Sequence, residues 1–391
     1  MRRVYLFTLL ILFAFTSCNN RKHAQTVSVE NQEIDTNLVV YSFEGPPLYD
    51  TLSYDNIIKE VSYIPLETNE LSYIGNVYNI ETIDGNLLVC NGKYYPKFQI
   101  KMFDSEGNFI KNIFNIGRGP NEISSYTLNW TSNDSTGEVI IWGIDKILIY
   151  NTRTQKYSPL QEFKSSDGSI TCSKFIALDD GSYVGFNGVR RRENDYSPFP
   201  YFLLFDSNMR LKKQYSDNVV RYADMGHGPG LLPGLTKSPN GALFRDILND
   251  TIFSIRDGEI FEPSFVLGVP DDLKPNLSNE TNSENQKAKL MYQDMYSPLE
   301  SEGYIFGGYR YDNKCYSTIW KKGNPKLLYS SIDDKLFGYW ISVDGLTVFC
   351  SWLRSCIDNT IYVPIPANKM THIMPDLNPD SNPVIMKIIF K

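Results

Sequence analysis

Histidine is scarce: there are three in 391 residues, His23, His227 and His372. Their scatter leaves a multi-histidine metal centre unexpected. Besides Cys18, the cysteines are Cys90, Cys172, Cys315, Cys350 and Cys356. None forms a Cys-x-x-Cys pair, so neither a zinc ribbon nor a disulfide framework is indicated, and buried thiols are the plain expectation. There is no Gly-x-Ser-x-Gly elbow, no Ser, His and Asp set that can be nominated, and no glycine loop ending in Lys-Ser or Lys-Thr. The acidic turn Asp104-Ser105-Glu106-Gly107-Asn108 lacks the closing carboxylate of a calcium loop. Many carboxylates are present, but no spacing sets two across a substrate as glycosidases require. Catalytic residues and cofactors are therefore not assigned. Positive charge is in deficit too, with 38 Lys and Arg against 45 Asp and Glu and a net charge of −7, which argues against a nucleic-acid partner.

Long apolar runs are also missing. The longest, Val4 to Phe15, is too short for a stable bilayer span. It follows Arg2 and Arg3 and precedes Thr16, Ser17 and Cys18, an arrangement that resembles a bacterial lipoprotein signal. That resemblance implies a signal peptide over 1–17 and a lipid on Cys18, hence membrane attachment through that lipid. Residues 18–50 read as a polar, flexible tether, and 51–391 as the folded domain. The tether lacks an acidic cluster after the cysteine, which favours a periplasm-facing outer-membrane location over surface export.

What the chain does have is β-forming residues and turns, with Tyr 26, Phe 22, Gly 26 and Pro 21. From Asn76 to Glu122 four short strands are expected: Tyr78 to Ile83, Leu87 to Cys90, Phe98 to Phe103 and Phe109 to Phe114. Such a meander has two apolar faces and buries neither alone, so one propeller blade implies several around an axis. Alternating strands followed by polar turns recur, with turn positions at Asp104, Asn151, Asp206, Arg256 and Lys321. Glycine-containing inner hairpins recur six times, the last being Val343-Asp344-Gly345 to Cys350. An all-β, six-bladed propeller follows. Ile57 to Leu66 and Val384 to Phe390 are apolar strands without local partners, and their pairing would close the ring. The one helical pattern, Asn279 to Tyr296, falls between the fourth and fifth blades.

These residues resemble the six-bladed β-propeller lipoproteins of Bacteroidota, which are similar to NHL-repeat propellers. The resemblance is carried by Val61 to Thr68, by Tyr78 to Val89 with Phe103 to Ile113, by Asn115 to Glu122, by Leu248 to Ile255 and by Asn382 to Lys391. It covers the chain from about Tyr54 onward. It implies the fold, but no reaction and no catalytic residues.

In a propeller, the crossings between blades and the loops between second and third strands open on one face. Long segments of those classes are Gly188 to Pro200, Arg221 to Gly234, the helical connection and Pro364 to Asn382. Gly117-Arg118-Gly119-Pro120 and Gly226-His227-Gly228-Pro229 are glycine-rich crossings that shape the path and can present side chains to the axis. The candidate ligand-binding residues are Arg118 and Glu122 in the first crossing and His227 in the second. Arg190 and Arg191 come from the Arg190 to Arg192 loop. Arg245, Arg310 and Trp352 sit at the ends of second strands. Guanidinium and aromatic groups in an acidic chain suit a saccharide, peptide or envelope-protein ligand, with an anionic ligand favoured. A monomeric, non-catalytic binding protein is expected. A lyase or hydrolase working in the central funnel is the alternative, and a scaffold without a small ligand is a third reading.

Overall fold

Three strands precede the first blade in sequence, and none has a local partner: β1 (Gln25–Ser28), β2 (Val40–Ser42) and β3 (Ile58–Pro65). Each completes a sheet built elsewhere. The structure is a computed structural model that describes residues 25–28, 38–92, 98–117, 119, 121–123, 129–142, 147–158, 174–186, 199–217, 234–245, 250–256, 259–269, 298–351, 356 and 358–391.

The first blade is the antiparallel meander β4 (Val77–Ile83), β5 (Asn86–Asn91), β6 (Gln99–Phe103) and β7 (Phe109–Asn112). Its first turn, Asp84-Gly85, has φ of 49° and 77°, the left-handed pair that matches the twist of a two-residue hairpin. Period-two alternation divides the side chains between two cores. Ile83, Leu88, Ile100 and Met102 pack with Trp130, Val139 and Ile141 of the next blade. Ile80, Leu87, Val89 and Phe103 pack with Leu66 and Ile385 of the preceding one. Both faces are thus buried only because the blade has neighbours.

A crossing formed by the parallel pair β8 (Asn115–Ile116) and β9 (Glu122–Ile123) leads to the second blade, β10 (Asn129–Asn133), β11 (Glu138–Trp142), β12 (Ile147–Asn151) and β13 (Lys156–Tyr157). The third is β14 (Lys174–Ala177), β15 (Tyr183–Phe186), β16 (Phe199–Phe205) and β17 (Leu211–Asp217). The fourth is β18 (Gly234–Ser238), β19 (Gly241–Arg245), β20 (Thr251–Arg256) and β21 (Glu259–Gly268). The fifth is β22 (Leu299–Glu300), β23 (Tyr304–Tyr311), β24 (Lys314–Lys321) and β25 (Leu327–Asp333). The hairpin β26 (Gly338–Val343) and β27 (Leu346–Ser351) follows, and then β28 (Thr360–Ile365) and β29 (Val384–Phe390).

The expected six-bladed, all-β ring is what forms. It closes as expected, with β29 antiparallel to β3 from Val384↔Pro65 to Phe390↔Ile58, so the sixth blade is the sheet β28-β29-β3. The seam is held by Asn382. Its carboxamide accepts from the Ile74 amide at 2.8 Å and donates to the carbonyls of Glu67 at 2.6 Å and Ser72 at 3.1 Å. At Gly107, φ is 90°, and a Cβ there would collide with the Pro65 carbonyl oxygen, so the seam also needs that glycine.

Two expectations change. The Val343 to Cys350 hairpin is not the inner hairpin of the sixth blade but a separate two-stranded sheet. Only residues 334–337 separate it from β25, and Leu52 of the N-terminal segment bridges to its first strand at Ile341. Part of the presumed tether is also ordered. β1 runs parallel to β17 and β2 parallel to β21, and Tyr49 and Leu52 bridge to Tyr329 and Ile341. The described parts of the N-terminal segment therefore form a belt along the outer edges of the third, fourth and fifth blades. The Asn279 to Tyr296 helix expectation lies outside the described residues.

Candidate functional site

The glycine-rich crossing is tied to itself. The Gly119 amide donates to Glu122 Oε2 at 2.7 Å, the Glu122 amide donates to the Gly119 carbonyl at 3.2 Å, and Gly117 donates to Ile123 at 3.2 Å. A Cβ at Gly117 would run into the Glu122 carboxylate, which explains why glycine stands there. The carboxylate of Glu122 is thus engaged in shaping its own loop.

Second strands run alike in every blade, so their C-terminal ends share a face with that crossing. Arg245 ends β19 opposite Gly234 and Ile252, and it is 2% exposed. Arg310, near the end of β23, lies 3.5 Å from Cys315 Sγ, with its guanidinium carbon 5.9 Å from the centre of the Phe337 ring. Trp142 ends β11, edge-on to Phe175 at 4.9 Å. Its Nε1 is buried and has no hydrogen-bond partner among the described residues, although a buried indole N–H ordinarily finds an acceptor.

Deeper in the ring, the inner strand β4 carries Glu81. Its Oε2 accepts from the Ser132 amide at 2.9 Å and the Ser132 hydroxyl at 2.6 Å, and Asn79 donates to Oε1 at 3.3 Å. Burial pushes this carboxyl above the ordinary range, while the positive charge of Lys237 and the Ser132 bonds pull the other way without cancelling it. Lys237 is on the first strand of the fourth blade, opposite the first blade in a ring of six. Neither residue stands out in the sequence, where Glu81 is one polar position of an alternating strand.

Of the sequence candidates, Glu122, Arg245 and Arg310 are described. Arg245 and Arg310 fall on adjacent blades at one face, and Glu122 belongs to the crossing that opens there. Arg118, Arg190, Arg191, His227, Trp352 and Cys18 lie outside the described residues. Cys315, Cys350 and Cys356 are buried without a disulfide, and burial pushes the Cys350 and Cys356 thiols up to about 12. Among the described residues no group of three or more His, Cys, Asp or Glu is arranged to hold a metal ion, and no helix is long and apolar enough to cross a membrane.

The profile of a family described as a domain of unknown function, DUF4934, matches residues 44–388. No curated protein matches the chain. Among solved structures, a Bacteroides fragilis protein with a provisional description as exported superposes with a TM-score of 0.60 at 15% identity, covering 90% of this chain and 99% of that one. A member of the DUF4221 family from Bacteroides vulgatus gives 0.50 at 11% identity, covering 86% and 98%. At these identities the likeness is one of fold.

Proposed function

The chain belongs to the DUF4934 family, and we propose that it is an exported lipoprotein, anchored through Cys18 to the outer membrane and facing the periplasm, whose propeller binds a saccharide, peptide or envelope protein without catalysis. An anionic ligand, such as a uronate or a carboxylate-bearing peptide, suits the face best. The observation that carries this reading is the collection at one face of the ring of Arg245, Arg310 and Trp142, whose buried Nε1 has no hydrogen-bond partner among the described residues. Guanidinium groups recognise carboxylates through paired, charge-assisted hydrogen bonds, and an indole N–H adds a neutral donor. The signal-like segment before Cys18 and the fold shared with a protein described as exported support the location.

Isothermal titration with uronate oligosaccharides, their neutral counterparts and acidic peptides tests it. Binding should be selective for the anionic member. Arg245→Gln with Arg310→Gln should weaken it by about tenfold or more while circular dichroism stays unchanged. Equal binding of neutral and anionic ligands by the parent and the double variant would overturn the reading.

A further inference from the structure

The inner strands of the ring are closed to water almost throughout. In β10, β14, β18 and β22 every described side chain is buried except that of Lys237, which is part-exposed. On β4, Glu81 is part-exposed as well. An inner strand has a blade on each side, so solvent reaches these two groups along the central channel. They stand at a similar depth. Glu81 is the third residue from the end of β4 and Lys237 the second from the end of β18. Both are therefore near the turns between first and second strands, away from the crossings and from the candidate ligand face.

The two charges face each other without joining. Glu81 Oε2 is occupied by both Ser132 bonds, whereas Oε1 has only the longer contact with Asn79 at 3.3 Å. Lys237 has no hydrogen-bond or ion-pair partner among the described residues, so its ammonium stands more than 4.0 Å from the carboxylate. Yet after burial, which raises the proton affinity of Glu81, the charge of Lys237 is the strongest influence on it, ahead of either Ser132 bond. That influence puts the ammonium within a Debye length, about 10 Å.

A partly desolvated ammonium without an acceptor and a carboxylate oxygen with room for a donor are both satisfied by a molecule carrying the two opposite charges. A charge-assisted N–H···O bond is about 2.8 Å long, so two of them with a small molecule between fill a gap too wide for the direct pair. A simple anion would suit Lys237 but face the carboxylate, and a simple cation would suit Glu81 but face the ammonium.

We propose that the central channel, at the turn end of the inner strands, binds a free α-amino acid or a similarly small dipolar ion, whose ammonium donates to Glu81 Oε1 and whose carboxylate accepts from Lys237 Nζ. Ser132 and Asn79 hold the Glu81 carboxylate in position for it. The proposal is independent of the anionic-ligand reading of the other face.

Titration calorimetry of the full-length protein against the free L-amino acids tests it, followed by the N-acetyl derivative and the amide of the tightest binder. The free amino acid should bind, and each derivative, lacking one charge, should bind at least about tenfold more weakly. Glu81→Gln, which keeps an acceptor for Ser132, and Lys237→Met, which keeps the length of the side chain, should each cause a loss of similar size. Arg245→Gln with Arg310→Gln should leave amino-acid binding unchanged. The proposal is overturned if no free amino acid binds at millimolar concentration, if either derivative binds as tightly as its parent, or if both channel variants bind like the wild type. Because the derivatives are tested on the unaltered protein, the result stands even where a channel variant fails to fold.

Discussion

The indole Nε1–H of Trp320 donates to the carbonyl oxygen of Ser42 at 2.8 Å, tying the fifth blade to a residue 278 positions earlier in the chain. Tyr41 and Phe43 pack on the same indole, at 5.8 and 5.0 Å between ring centres, so this hydrogen bond of the belt is set inside an aromatic cluster. Trp320→Phe keeps most of the apolar area but strands the Ser42 carbonyl. It should cost about 1 to 2 kcal/mol in urea denaturation, and hydrogen exchange should show faster opening of 39–43 than of the blade cores.

Asn382 satisfies three backbone groups across the ring seam, two of them buried. Replacing it with Ala leaves those groups without their partner, so a loss of about 2 to 3 kcal/mol is expected by chemical denaturation. A variant as stable as the parent would show that solvent or neighbouring groups take over the seam.

Deleting residues 383–391 removes β29, which stands between β28 and β3. Two strand edges and the apolar side chains that Val384, Met386 and Ile388 cover, among them Ile58, Ile361 and Val363, would be exposed. The truncated chain should lose its sharp calorimetric transition or aggregate. An unchanged melting temperature would refute the closure as the source of cooperativity.

Glu81 binds its proton more tightly in the folded protein than an ordinary glutamic acid, chiefly because it is buried. Its stabilising contribution is therefore fully present below the ordinary value of 4.5 and is lost as the pH rises through the higher folded value. In Glu81→Gln a carbonyl oxygen can still accept from Ser132 but does not ionise. The melting temperature of the variant relative to the parent should rise with pH above about 4.5 and then level off. A difference that is flat from pH 4 to 8 would show that Glu81 is hydrated and titrates normally.

Cys18→Ala should release the protein from the membrane fraction, because a chain without lipid keeps only its weak electrostatic contacts. Sedimentation of the variant with membranes to the same extent as the parent, in high salt, would end the lipoprotein reading.

Repeating periods were legible from residues alone. Alternation in Val77–Ile83 and Gln99–Phe103 set the strands, and the Asp84-Gly85 turn set a hairpin. Because each blade has two apolar faces, closure into a ring and the pairing of the terminal strands followed from the need to bury them. The polarity of 18–50 concealed that part of it is strand, since a strand lying on an outer edge needs backbone pairing rather than an apolar face of its own. The Val343 to Cys350 hairpin matched the inner-hairpin pattern, yet it forms a separate two-stranded sheet, because strand pairing beyond the hairpin is a tertiary matter that local pattern does not weigh. Arg245 and Arg310 could be placed at one face by counting strands. Trp142 and the pairing of Glu81 with the field of Lys237 could not, because burial and distance across the axis exist only once the ring is closed. Sequence determined the elements and their order through local periodicity. Tertiary structure decided which polar groups are kept from water and which face one another.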